Sequence, residues 1–338
     1  MSKKVKVVQI GLGPIGNKTS QFLVERDAVE IVGAIDTDPL KIGHDVGALA
    51  GLPPIGVKVG GDLPKVLGRK GVDVIILTTT SSLISTYDQL KELLPFGISI
   101  ISSCEELSYP WGTNPVLSAK IDKLAKKNNV AVLATGVNPG FLMDFLPLAL
   151  TGVCRDIRKI TVERIQDATF RRIPFQNKIG AGLTVPQFHA KVKDGTLRHV
   201  GLPESMQMIA TSLGWKLDRA EEVITPIIAE RTMVTERMHV EAGDVLGVQQ
   251  IGSAVMAGRE VISMVFRAAI GEPDARDRIL IEGTPSIDSC IKGGVNGDVA
   301  TCAALVNGIP SVMHARPGLR TMMDVEPLHW YQTIGKRM

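Results

Sequence analysis

Short apolar runs alternate with amphipathic stretches through the first 150 residues, and longer alternating runs follow. The runs at 5–10, 29–35, 72–78, 98–103 and 130–134 are rich in Val, Ile and Leu and bounded by turn residues. This is the pattern of strands buried on both faces of a parallel sheet. Between them, 17–25, 83–94 and 115–128 carry helical periodicity. In the last, Ile121, Leu124 and Ala125 share one face and leave Lys120, Lys123, Lys126 and Lys127 to solvent. The alternation predicts an α/β fold with a Rossmann-type doubly wound parallel sheet.

Beyond a helix expected at 141–150 the pattern changes. Runs at 159–165, 220–236, 245–256, 260–269 and 278–282 alternate in polarity and are joined by turns such as EAGD and GEPDARD. They predict an α+β domain with an open, mainly antiparallel sheet. The stretch 171–204, with KIGAGLTVPQFHAKVKDG, reads as loop-rich, and the tail ARPGLRTMMDVEP as irregular. The segment 296–305 reads as a helix whose VATCAALV face is broadly apolar and needs a sheet to cover, so it is expected to return to the first domain. A chain of 338 residues suits about two domains. We place a dinucleotide-binding domain at 1–143, with a C-terminal return at about 296–338, and a substrate-binding domain at 144–295.

The densest chemical signal lies at the first strand. VKVVQIGLGPIGN brings Gly11, Gly13 and Gly16 straight from a strand into a helix start, and EIVGAIDTD closes the second strand on Asp36. Gly11 permits the tight turn, Gly13 lets the backbone approach a pyrophosphate, and Gly16 lets the helix pack closely. Leu12, Pro14 and Ile15 belong to the same phosphate-facing turn, with Pro14 suited to the first helical position. The Asp36 carboxylate suits both ribose hydroxyls and repels a 2′-phosphate, so NAD is the expected cofactor; Thr37 and Lys41 leave room for tolerance of NADP.

Composition removes several alternatives. With 38 basic and 35 acidic residues the net charge is +3, and no basic tract favours nucleic acid or an anionic membrane as partner. The chain enters its first strand directly, without a secretory apolar segment, and a cytoplasmic protein is expected. Four cysteines without a CxxC pair and six histidines without HExxH spacing write no metal site.

Ligands of doubly wound sheets lie at the carboxyl ends of the strands. There the chain carries TTTSS (with Thr78 and Thr79), SSCEEL (with Glu105 and Glu106) and TGVNPGF (with Asn138). The threonines can face a ribose or cap the next helix. One glutamate of the pair is placed to act as a general base or to serve as an N-terminal acid of the following segment. A carboxylate against an apolar nicotinamide would be partly desolvated and useful as a base in amine oxidation, where the ammonium must lose a proton before hydride can leave.

Taken together, VVQIGLGPIG, EIVGAIDTDP, SSCEELSYPW, ATGVNPGF and KIGAGLT resemble the 2,4-diaminopentanoate dehydrogenases and the related native amine dehydrogenases, across most of the chain. The resemblance implies NAD(P)-dependent oxidative deamination of a CH–NH2 group, or the reverse reductive amination, with 2,4-diaminopentanoate giving 2-amino-4-oxopentanoate and ammonia. It implies Glu105 as the activating base, with Glu106 in reserve, a small amine or amino-acid substrate, and a homodimer formed through the second domain. The paired histidines of dihydrodipicolinate reductase are missing after Thr161, which disfavours ring reduction. Arg172, Gln176, Asn177 and His199, within a polar stretch that also holds Arg171 and Lys178, are candidate substrate contacts or a solvated basic loop. Simple amines or ketones, a hydroxy or semialdehyde substrate, and a non-catalytic NAD-binding regulator are the alternatives.

Overall fold

The computed structural model describes residues 4–68 and 71–332. The ends of the expected first domain, 1–3 and 333–338, lie outside the described residues. The chain divides into two compact units, 1–141 with 296–338, and 142–295. Leu142 and Met143 fall in the second unit because they line one small cavity with Leu146, Val162 and Ile279.

In the first unit β1 (Val5–Ile10), β2 (Val29–Ile35), β3 (Val59–Gly60), β4 (Val74–Leu77), β5 (Ser99–Ser102) and β6 (Ala131–Ala134) pair in parallel. They alternate with α1 (Pro14–Val24), α2 (Val46–Leu49), α3 (Leu63–Leu67), α4 (Leu83–Leu93), α5 (Pro110–Thr113) and α6 (Pro115–Lys127). All residues of β4 and β6 are buried, which explains their unbroken apolar runs. Ile75, Leu77, Ile100 and Val132 meet Leu90 and Leu93 of α4 and Ile121 and Ala125 of α6 in one core. Side chains cap most helix starts: Ser82 accepts from Ser85 N, and Asn114 from Leu117 N. The first helix differs. It begins at Pro14, ahead of the expected residue 17, because the fixed φ of proline suits the first turn.

The second unit holds α7 (Phe145–Thr151), β7 (Asp156–Asp167), α8 (Ile173–Lys178), α9 (Val185–Lys193), α10 (Leu202–Ser212), β8 (Arg219–Ile228), β9 (Met233–Val234), β10 (His239–Val240), β11 (Val245–Met256), β12 (Arg259–Ala269), β13 (Arg276–Thr284) and β14 (Ile287–Lys292). Six of these strands form a sheet in the order β14-β13-β7-β12-β11-β8. β7 pairs with β12 in parallel and the remaining neighbours are antiparallel, as expected of an open, mainly antiparallel sheet. One face packs on α10, where a Cβ at Gly252 would touch Leu202 and Met206. Along β11, Val248, Gln250 and Ala254 are buried with it, whereas Ile251 points to the other face and is exposed. Two expectations are corrected here. The run 220–236 is broken after Ile228 and continues as the short β9–β10 hairpin, and the loop-rich stretch 171–204 contains α8, α9 and the start of α10.

The chain then re-enters the first unit. There α11 (Gly297–Asn307) lies against α1, with the Cys302 thiol donating to the Ile15 carbonyl at 3.5 Å. α12 (Ile309–His314) follows, and β15 (Gly318–Arg320), inside the tail read as irregular, adds a parallel edge strand beside β6. The seven-stranded order is β15-β6-β5-β4-β1-β2-β3, a Rossmann-type doubly wound sheet. Arg26 stacks on Trp330 and Tyr331, and the Tyr331 hydroxyl donates to Val306 O, so the end of the described chain is tied to the same unit.

Candidate functional site at the carboxyl edge of the parallel sheet

The turn between β1 and α1 gives each glycine a separate steric reason. Gly11 has φ of +85°, and a Cβ there would approach the Thr78 carbonyl oxygen to 2.7 Å. At Gly16 a Cβ would overlap the Gly11 carbonyl, so the helix can lie this close to the turn only without one. Gly13 is different: nothing stands within 4 Å of its absent Cβ, and no side chain caps the N-terminus of α1 that it begins. That leaves open space in front of first-turn N–H groups and the positive end of the helix, which fits a dinucleotide pyrophosphate.

Asp36, at the end of β2, is 9% exposed and bonded on both oxygens. Its Oδ2 accepts from Leu12 N at 2.7 Å and from Lys41 Nζ at 3.1 Å, and its Oδ1 accepts from Asp38 N at 2.9 Å. Burial pushes its carboxyl up, but the Asp38 and Leu12 amides and the Lys41 ammonium together outweigh it and hold the group below its ordinary value. Asp36 is therefore an anion that also locks the glycine turn. The Leu12 amide, expected to face phosphate, is engaged by this carboxylate, and the Leu12 side chain is buried. Pro14 is exposed at the helix start, and Ile15 is half-buried beneath the Cys302 thiol.

Residues after the next strands divide between bracing and access. The Thr78 hydroxyl donates to Gly11 O at 2.9 Å and accepts from the Gln9 amide at 2.8 Å, so it supports the turn from below. Thr79 donates to Gln89 Oε1 at 2.7 Å. After β5 the two glutamates part company. Glu106 Oε2 accepts from Leu83 N at 2.8 Å and thereby caps α4. The half-buried Glu105 side chain has no hydrogen bond or ion pair among the described residues, while its carbonyl anchors Ser108. After β6, Asn138 is buried at 8% exposure, and the neighbouring Val137 N–H donates to Thr301 of α11 at 3.2 Å. Gly11, Gly13, Gly16, Asp36, Thr78, Glu105 and Asn138 thus gather at the carboxyl edge of one sheet.

The candidate substrate residues of the second unit do not form one set. Arg172 is half-buried and Asn177 exposed, at either end of α8. Gln176 is instead fully buried, its amide donating to Ala168 O at 2.9 Å and Thr169 O at 3.1 Å, where it holds the entry to α8. Arg171 is also interior, 4.0 Å over the Phe175 ring. His199 stacks at 4.1 Å on Phe266, and its backbone is clasped by Gln250 from both sides. Burial, with Lys178 and Arg164 adding, pushes its imidazole down to about 3, so it is neutral at physiological pH and offers no cation to a substrate carboxylate.

Two features escaped the sequence reading. The first is Gln9, whose polar side chain in the apolar VKVVQI strand was a legible anomaly; it donates to Gly11 O at 3.0 Å as well as to Thr78. The second is a buried pair in the second unit, Arg164 with Asp277 at 2.7 Å, exposed 2% and 6%. It holds the Val295 backbone, with Arg164 donating to Val295 O at 3.2 Å and Asp277 accepting from Val295 N at 2.8 Å. Only the pairing of strands far apart in sequence brings those charges together.

Residues 141–333 match the family model for the C-terminal domain of 2,4-diaminopentanoate dehydrogenase. The 2,4-diaminopentanoate dehydrogenase of Acetoanaerobium sticklandii is 34% identical over 332 residues, covering 96% of this chain and 94% of the relative. An amine dehydrogenase of Streptomyces virginiae is 24% identical over 95% of this chain and 96% of its own. The solved structure of an amine dehydrogenase from Mycobacterium smegmatis superposes with a TM-score of 0.86 at 25% identity, covering 98% of this chain and 99% of that one.

Proposed function

The chain belongs to the 2,4-diaminopentanoate dehydrogenase family, and from that premise we propose that it is an NAD(P)-dependent enzyme that oxidatively deaminates a CH–NH2 group, with 2,4-diaminopentanoate as substrate and 2-amino-4-oxopentanoate and ammonia as products. The observation that carries the chemistry is the division of labour between two adjacent acids. Glu106 is engaged in capping α4, and Glu105, half-buried at the carboxyl end of β5, is free to move protons.

The open space before Gly13 and the start of α1 fit a pyrophosphate, and Asp36 fits an adenosine ribose. When bound, the nicotinamide supplies a hydride acceptor. Glu105 takes a proton from the substrate ammonium, so that the nitrogen lone pair can form the C=N bond as hydride leaves the carbon. After releasing that proton to solvent, Glu105 takes one from the water that adds to the iminium carbon and passes it to the carbinolamine nitrogen, so that ammonia leaves and carries off the hydroxyl proton as the C=O bond forms. Asn177, exposed near the end of α8, is the remaining candidate for a polar substrate contact, whereas Gln176 and His199 act within the fold.

Similarity to amine dehydrogenases favours simple amines or ketones as the second reading. A panel of 2,4-diaminopentanoate, simple amines and hydroxy acids, with NAD reduction followed by absorbance, separates these readings. Glu105→Gln is expected to lower kcat by about 10²–10⁴-fold with NAD binding intact, while Glu106→Gln loses stability and keeps turnover. Full turnover by Glu105→Gln would overturn the assignment. We further propose that two copies associate through the uncovered face of the second unit's sheet.

A further inference from the structure

We infer that Ser102 and Ser108 are positioning residues for Glu105, their hydroxyl groups holding the segment between β5 and α5 in the backbone conformation that presents the glutamate at the carboxyl edge of the sheet. The inference rests on the reading of Glu105 as the proton-transferring base. A general base must come within hydrogen-bond reach of the proton it takes. The Glu105 side chain has no hydrogen bond or ion pair among the described residues, so it takes its position from its backbone. That backbone has little support of its own. Glu105–Leu107 is a single 3-10 turn, too short for a helical ladder, and its orientation is set by whatever grips its two ends.

At the entry stands Ser102, the buried last residue of β5. Its hydroxyl donates to Leu77 O at 3.0 Å and accepts from Cys104 N at 3.1 Å, and its carbonyl accepts from Thr135 N at 2.9 Å. The ends of β4, β5 and β6 are thereby joined at one residue, just ahead of Glu105. Cys104 is buried, and without the Ser102 oxygen its N–H has no partner among the described residues, so the turn would have to shift to find one. At the exit the buried Ser108 folds back. Its hydroxyl donates to Glu105 O at 2.7 Å and its N–H to the same carbonyl at 3.1 Å. Alanine at either position removes an interior hydroxyl and leaves the Glu105 side chain unaltered, so any effect on the base must pass through the backbone.

The test is steady-state deamination by the full chain of whichever amine in the panel above is turned over fastest, together with NAD binding by fluorescence. The variants are Ser102→Ala and Ser108→Ala, each alone and in the Glu105→Gln background. Ser118→Ala is the control, since it removes a buried hydroxyl that donates to Asn114 O in α6 at 2.8 Å. Each serine variant alone should lower kcat by about ten-fold while KM and the Kd for NAD stay within about two-fold of wild type. In the Glu105→Gln background the same changes should alter kcat by less than about two-fold, because the group they position is no longer a base. Ser118→Ala should keep the wild-type kcat. Equal losses in both backgrounds, or an equal loss in Ser118→Ala, would assign the serines to general stability and overturn their role. If Ser102→Ala does not fold, Ser108→Ala in the two backgrounds decides. Slow turnover by Glu105→Gln with full kcat in the serine variants overturns the positioning role and leaves the base standing. Full turnover by Glu105→Gln, or a wild type that deaminates no amine, overturns the base and this inference with it.

Discussion

Neighbouring residues of one chemical type acquire opposite roles from what surrounds them. Glu105 and Glu106 differ by a single position, yet the second is fixed to the start of α4 while the first keeps both oxygens free among the described residues. His199 shows the same principle in reverse, because a residue suited to binding an anion is made neutral by burial, with Lys178 and Arg164 adding. Its pH signature follows from the sign of the shift. The unfolded chain takes up a proton below about pH 6.5, and the folded one refuses it until about pH 3. Stability should therefore fall as pH drops from 7 to 5, by about 1–2 kcal/mol from this residue. Denaturant midpoints at the two pH values should show a shallower loss for His199→Gln than for wild type; identical pH dependence would contradict the buried neutral imidazole.

At the scale of elements, the β1–α1 turn is held from three sides. Gln9 and Thr78 support the Gly11 carbonyl from the interior, Asp36 holds the Leu12 amide, and the close fit at Gly16 seats the helix. Loss of one interior support should loosen the phosphate-facing groups more than it weakens the fold. Thr78→Val is expected to raise the Kd for NAD by about ten-fold, and Thr78→Ser, which keeps the hydroxyl, should restore it. Titration by fluorescence checks this, and equal affinities in the two variants would assign Thr78 to packing alone.

This turn was legible in the sequence because its three glycines follow a strand at fixed spacing, with the positive φ of Gly11 and the approach of Gly16 to the Gly11 carbonyl set within six residues, and strands such as β4 announce themselves by total burial. The helices α8, α9 and α10 were hidden by the glycines and prolines around them. Their signal was nevertheless present. Each has a proline in its first turn, and Thr184 with Gln187 forms a capping box at the head of α9. What could not be read were the fates of Gln176 and His199. Those depend on carbonyls at Ala168 and Thr169 and on a ring at Phe266, supplied by tertiary packing. The three-residue β15 is equally silent, since its strand character comes from lying beside β6.

For the whole molecule, the second unit's sheet poses the question of what covers its far face. α10 covers the side of Gly252, while on the opposite side Ile251 stands between Val223 of β8 and Val265 of β12 in register. Val223 is 57% exposed and Ile251 36%. Flanking positions in the neighbouring rows, Gln249 beside Arg267 and Ser253 beside Ser263, are polar. An apolar centre within a polar surround matches the anatomy of an interface between copies, where stable association buries about 1,600 Å² in total. A charge placed at its centre would be desolvated and unpaired on association, at a cost of several kcal/mol. Ile251→Asp should consequently convert a dimer to a monomer in light scattering at micromolar concentration, with the circular dichroism spectrum unchanged because the position is exposed in the single chain. A variant that stays dimeric, or a wild type that is already monomeric, places the second copy elsewhere or removes it, and the sheet face would then need another explanation for its apolar row.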